Sequence, residues 1–294
     1  MRVREPVVAG QFYPRQDGEC TDQLDDLLRS VTAWTCPADT RLVGGLVPHA
    51  GWMCSGAVAA RVLNTLAVPG APEVIVLFGG VHRMRGREGA LFADGRWETP
   101  IGPVHIDTRL AERILSQTSL IVDDPQAHAD EHSIEVQMPF IARLFPGVKV
   151  APIMVPPVGT AYEVGQAVGR TLAAYDYDAL VIGTTDLTHY GPSYDFTPHG
   201  IGPRGNAWAK NVNDTPFLEL VCALRGADVV EHAQRYKNAC SAGAVAALLG
   251  AATTLGASRG ILLDHTTSSE VLAESRPGQC SDSVGYAGVL FATG

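Results

Sequence analysis

Six short runs rich in Val, Ile and Leu constrain this chain more than any other feature. They fall at Leu42–Val47, Val74–Phe78, Val150–Val155, Ala179–Ile182, Gly260–Leu263 and Ala287–Phe291. Runs so brief and so apolar read as strands buried on both faces. Between them lie segments with helical periodicity: Gly56–Leu66, Thr108–Gln117, Ser133–Phe145, Tyr162–Tyr175, Pro216–Leu224 and Ala242–Leu255. Ser55, Asp107 and Asp214 stand where helix N-caps belong. This alternation predicts an α/β fold, a central, mostly parallel sheet flanked by helices on both faces. Ala90–Trp97 and Val104–Ile106 depart from it and predict a hairpin or an antiparallel edge addition, and Tyr190–Asn206 predicts an ordered loop. No internal repeat or flexible linker divides the 294 residues, so one domain over 1–294 is expected.

Charge narrows the function. A net charge of -9 argues against a nucleic-acid binder, because phosphate binding needs a basic surface. The start, MRVREPVVAGQFYPRQ, lacks the apolar core of a signal peptide. The most membrane-like stretch, 242–257, is short and built of Ala and Gly, which suits a buried helix better than a span. Six scattered cysteines, with no CxxC pair, suggest reduced thiols in a cytoplasm, most of them buried as small hydrophobes.

The polar residues that follow the strands carry the chemistry. His49 follows Leu42–Val47 in VPHAGW, His82 follows Val74–Phe78 in FGGVH, and Asp186 and His189 follow Ala179–Ile182 in GTTDLTH. In an open α/β sheet the loops past the carboxyl ends of parallel strands share one edge, where ligand sites form. The glycines at 44, 45, 51, 79, 80 and 183 would let backbone approach a ligand there, or simply end strands. Cys240 sits in KNACSAGAVAALLG just before a helix of small residues, where the helix dipole favours thiolate. Such a thiolate binds metal or attacks an electrophile, and a buried spacer is the plain alternative. A further cluster, HADEHSIEVQMPF, places His128, Asp130, Glu131, His132 and Glu135 together. It reads equally as a helix cap with a buried polar network, or as a pocket acid or a partner that orients a ligating histidine. The four strand-end residues and Cys240 are therefore expected to converge on one pocket able to hold a metal ion, with no ranking among them.

AGQFYP, VPHAGW, DEHSIEVQMPF, the Asp186–His189 element, NAC at Cys240 and DSVGYAG at Asp282–Gly288 occur here in one order. Together they resemble the Memo-like proteins, a family that includes the B component of the AmmeMemoRadiSam system. The resemblance implies a fold like that of class III extradiol dioxygenases, non-haem iron enzymes that open catechol rings. It implies His49, His82 and Cys240 as metal ligands, His189 as an acid/base beside the metal, and Asp186 as a pocket residue. Two imidazoles and one anionic ligand form a variant of the facial triad, with thiolate where the ring-cleaving enzymes use carboxylate. The softer sulfur suits Fe(II), Cu(I) and Zn(II). Two stretches depart from relatives but leave these residues in place: GGVHR around His82, where many relatives have a second His directly after the first, and SAGAV after Cys240, where the animal members carry a Gly-Arg-His segment.

Three functions are consistent with this pattern. The first is a non-haem metal-dependent oxidoreductase acting on an unknown small molecule. The second is a non-catalytic protein that holds metal or binds a peptide partner. The third is a subunit acting with a radical-SAM enzyme. A hydrolase is disfavoured, because no G-x-S-x-G elbow is present.

Overall fold

The computed structural model describes residues 2–37, 39–83, 86–273 and 281–294. The strands in chain order are β1 (Val3–Arg4), β2 (Leu42–Val47), β3 (Val74–Gly79), β4 (Gly89–Leu91), β5 (Arg96–Trp97), β6 (Val104–His105), β7 (Ile121–Asp123), β8 (Lys149–Met154), β9 (Ala179–Thr184), β10 (His189–Tyr190), β11 (Arg259–Thr267) and β12 (Ser283–Ala292). The helices are α1 (Asp17–Ser30), α2 (Trp52–Ala67), α3 (Thr108–Gln117), α4 (Met138–Leu144), α5 (Ala161–Ala174), α6 (Pro203–Trp208), α7 (Thr215–Cys222), α8 (Val229–Tyr236), α9 (Ala242–Thr254) and α10 (Ser268–Val271).

The main sheet among the described residues has nine strands in the order β10-β12-β2-β9-β3-β8-β4-β7, with β11 on β12. Its centre, β2-β9-β3-β8, is parallel throughout, as the doubly buried apolar runs predict. The flanks are mixed: β12 runs antiparallel to β2, β10 and β11, and β4 runs antiparallel to β8. The last two apolar runs are thus a long antiparallel pair. An apolar run is the same whichever way its strand points, so the sequence pattern carried no sign of this reversal. The hairpin expected near residue 100 is present as β5 and β6, but it joins β1 in a separate three-stranded sheet. The loop expected at 190–206 begins on β10 and ends in the first turns of α6.

Each face of the sheet carries its own core. On one face α5 and α9 pack over β3 and β9, with Val76, Val181 and Leu248 inaccessible. On the other, α2 and α4 cover it with Val62, Leu63, Phe140 and Ile141. The chain buries α9 almost entirely, as its Ala- and Gly-rich sequence predicts, and no described helix is long and apolar enough to cross a membrane. A side chain at Gly165 of α5 would place its Cβ 1.8 Å from the Ala247 carbonyl oxygen of α9, so these helices touch backbone to backbone. That contact fixes α9, and with it the residues at its N-terminus.

Some caps differ from expectation. Asp107 caps α3 by accepting the Leu110 amide at 2.8 Å. Ser55 does not begin α2, which starts at Trp52; its hydroxyl instead donates to the Ala50 carbonyl at 3.0 Å. The helix expected at Ser133–Phe145 forms only as a 3-10 turn at Glu135–Gln137 followed by α4. α1 and α8 went unpredicted: α1 buries only Cys20 and Leu24, too sparse a stripe to read, and α8 spans just eight residues. Among the described cysteines Cys20 is buried, Cys36, Cys54, Cys222 and Cys240 are partly exposed, and none forms a disulfide. Cys280 lies outside the described residues.

Candidate metal centre

Three neighbouring parallel strands, β2, β9 and β3, end on the same edge of the sheet. His49 lies two residues past β2, His82 three past β3, and Asp186 two past β9. α9 points its N-terminus at this edge and brings Cys240 to it. The structure therefore gathers His49, His82 and Cys240 so that one ligand atom from each lies within 4.8 Å of the others. Asp186 lies beside them, bonded to both His49 and Cys240.

His49 is held from two sides. Its amide donates to Asp186 Oδ1 at 2.8 Å, and its Nδ1 meets Thr184 Oγ1 at 3.0 Å. Its Nε2 is left facing Cys240 Sγ at 3.1 Å. His82 is set by Glu131: the carboxylate accepts the His82 amide at 3.0 Å and meets Nδ1 at 2.9 Å. A carboxylate on Nδ1 fixes the tautomer and leaves Nε2 for a ligand, the outer-sphere arrangement of many histidine-bound metals. Burial opposes the charged form of His82, but hydrogen bonds to Cys240 and Glu131 outweigh it, and the pKa is pushed up to about 9. Burial likewise opposes ionisation of Glu131, yet its bonds to His82 hold the carboxyl well below the usual range.

The acidic cluster thus divides its labour. Glu131 orients His82, while Glu135, four residues on and 1% exposed, serves the N-terminal segment. Glu135 pairs with Arg4 at 2.5 Å and accepts the Val7 and Val8 amides and the Tyr13 hydroxyl. This pins the AGQFYP segment so that Phe12 lies against His132, ring centroids 4.9 Å apart. Gln137 donates to the Pro48 carbonyl at 2.8 Å, steadying the residue before His49.

His132 is a third imidazole in the pocket that the strand-end reasoning did not single out. Its ring lies 5.3 Å from His49 and 4.6 Å from His82, and its Nδ1 is 3.5 Å from Glu131. With His82 and Glu131 it forms a second donor group of suitable spacing. Burial, reinforced by His49 and His82, pushes its pKa down to about 4, so it is neutral at pH 7. The only sequence signal was its place in the HADEH run.

His189 stands on β10 with Nδ1 3.1 Å from the Leu187 carbonyl and its ring edge-on to Tyr194. Burial lowers its pKa from the ordinary imidazole value. The strand-end glycines make room for protein rather than ligand. A Cβ at Gly79 would strike Ile134, one at Gly80 would strike Ser241, and one at Gly183 would strike Leu248.

The spacing tests whether a metal fits. Nitrogen and sulfur ligands bound at about 2.1 and 2.3 Å stand ~3.1 Å apart at a right angle and ~3.6 Å apart at a tetrahedral angle. The observed His49 Nε2 to Cys240 Sγ separation of 3.1 Å lies at the short end of that range, and the three donor atoms all lie within 4.8 Å of one another, so these residues fit a single ion.

A family model described as Memo-like protein matches residues 4–290. MEMO1 family proteins of Methanopyrus kandleri and Pyrobaculum aerophilum are each 35% identical to this chain, with 99% of both chains covered. One from Aquifex aeolicus is 34% identical over 99% of this chain and all of its own. The fold is shared with an uncharacterized protein from Escherichia coli K12 of known structure, with a TM-score of 0.51 and 13% identity over 86% of this chain and all of that one. A chain matched from end to end by these relatives belongs to the Memo-like family.

Proposed function

We propose that this protein is a non-haem metal-dependent oxidoreductase with iron(II) held by His49, His82 and Cys240. The observation that carries the reading is the gathering of His49, His82 and Cys240, with His49 Nε2 3.1 Å from Cys240 Sγ and the His82 ring oriented by Glu131. His49, His82 and Cys240 would hold the ion, and a ferrous ion there would supply one-electron chemistry and Lewis acidity to a chelating substrate.

The chain's own residues do the rest. Asp186 clamps the centre, its carboxylate on the His49 amide and its backbone on Cys240. His189 uses Nδ1 on the Leu187 carbonyl, which leaves Nε2 as the basic nitrogen of a neutral ring able to take a substrate proton. His132 and Phe12 wall the pocket. Oxygen uptake by the anaerobically iron-loaded protein, with a panel of catechols and small thiols, tests the reading. Uptake that disappears in His49→Ala supports it, and uptake no greater than in that variant removes it.

A second reading rests on the sulfur. Thiolate with several imidazoles also suits capture of copper(I) or zinc(II) without turnover. Tight copper(I) binding with no substrate-dependent oxygen consumption would favour it.

A further inference from the structure

Two adjacent residues outside the proposed ligand set lie between the loops that carry it. Asn213 and Asp214 end a π-helical turn, Ala209–Asp214, that joins α6 to α7; both are buried, Asp214 completely. Such turns recur where side chains have to be re-aimed at functional sites. Asp214 Oδ1 accepts the Thr188 amide at 3.0 Å and also the Thr188 hydroxyl, while Oδ2 faces His265 Nε2 at 3.4 Å. The Asn213 side chain donates to Thr188 Oγ1 at 2.9 Å and to the Tyr236 carbonyl at 3.0 Å. The Asn213 backbone carbonyl accepts Asn238 Nδ2 at 2.7 Å.

Thr188 lies two residues after Asp186, and Asn238 two before Cys240. We propose that Asn213 and Asp214 are positioning residues of the metal centre: by gripping Thr188 and Asn238 they hold the two loops at the separation that sets Cys240 Sγ against Asp186 and His49. The inference rests on the reading of His49, His82 and Cys240 as ligands.

Two features separate this network from ordinary core polarity. It joins four different pieces of chain: the π-helical turn, the loop after β9, the loop before α9, and β11 through His265. A buried carboxylate is expensive to dehydrate, and apolar packing would join these pieces as firmly but without direction. β12 also yields space for it, since a Cβ at Gly285 would lie 2.3 Å from Asp214 Oδ2. Gly285 in turn exchanges backbone bonds with the same loop, Leu187 to Gly285 at 2.8 Å and Gly285 to Thr188 at 3.0 Å. The glycine of DSVGYAG thereby belongs to the positioning device.

Anaerobic titration of the full chain with cobalt(II) tests the proposal, read as affinity and as the thiolate-to-cobalt charge-transfer absorption, with melting temperature recorded alongside. Thr188→Val and Asn238→Ala retain all three ligands. They are expected to weaken cobalt binding by up to roughly 10-fold, the low end of the effect of losing a partner bonded to a ligand itself, and to diminish the sulfur band. Thr188→Ser keeps the hydroxyl between Asn213 and Asp214 and is expected to restore both. Asp214→Asn, of the same shape without the charge, replaces Asn238→Ala if that variant does not fold, with the same expected loss. Variants that melt earlier but match wild type in affinity and sulfur band would overturn the proposal and leave a packing role. A wild-type protein with no sulfur band would instead overturn the metal reading, and this inference with it.

Discussion

Asp186 and Cys240 hold each other through two contacts, the Asp186 amide pointing at Sγ at 3.3 Å and the Cys240 amide donating to the Asp186 carbonyl at 3.1 Å. The sulfur is therefore fixed by the backbone of the strand-end loop, while the Asp186 side chain fixes the His49 amide at 2.8 Å. One residue sets two of the three proposed ligands. This is why a site assembled from four distant segments can have a defined geometry before any ion arrives.

Glu131 sets the third. Its carboxylate keeps the His82 Nδ1 hydrogen bond at 2.9 Å, so Glu131→Gln is expected to lower metal affinity about ten-fold or more with little change in fold. Competition against a chelator of known affinity measures this. Equal affinity in the two proteins would show that His82 needs no such partner.

Arg4 and Glu135 form a buried ion pair at 2.5 Å, both side chains almost inaccessible. Glu135→Ala strands the guanidinium and releases two backbone amides, an expected loss of about 3–5 kcal/mol in urea unfolding. Phe12 should lose its seat on His132 as well, visible as faster proteolysis of the N-terminal segment.

His128 makes stability depend on acid. It is wholly buried between Phe92 and Trp97, bonded through Nε2 to the Ala90 carbonyl at 2.9 Å, and burial pushes its pKa down to about 4. In the unfolded chain the value returns to about 6.5, so below that pH the unfolded state binds the extra proton. The stability from this group is complete above pH ~6.5 and drains as pH falls through ~4, on the order of 3 kcal/mol in all. Urea unfolding of His128→Phe across that window is expected to show a shallower pH slope than wild type, and parallel slopes would contradict the assignment.

Helix contact predicts opposite signs for two glycines. Gly165→Ala forces a Cβ to 1.8 Å from the Ala247 carbonyl oxygen and is expected to cost about 1–3 kcal/mol or more. Gly18→Ala, in α1 with nothing within 4 Å, is expected to stabilise by roughly 0.5–1 kcal/mol. Thermal melts of the two variants distinguish them directly.

The central strands were legible because burial on both faces leaves unbroken apolar runs, and their shared edge brought His49, His82 and Asp186 into one reading. Cys240 was legible from its place before α9. The antiparallel addition at β4 was expected, but the reversal of β12 was not legible, since hydrophobicity carries no strand direction. Asp214 looked like a helix cap because Asp before Thr-Pro is a start signal; the chain instead enters α7 from a π-helical turn, leaving the carboxylate free to grip Thr188. Glu131 and Glu135 share one motif but act on different segments, a division that only the fold reveals.

The central claim is that Cys240 ligates the metal with His49 and His82. Iron and copper content after anaerobic purification, compared between wild type and Cys240→Ser, tests it most directly. The account predicts about one ion per wild-type chain and a large loss in the variant. Equal metal content in the two proteins would contradict it.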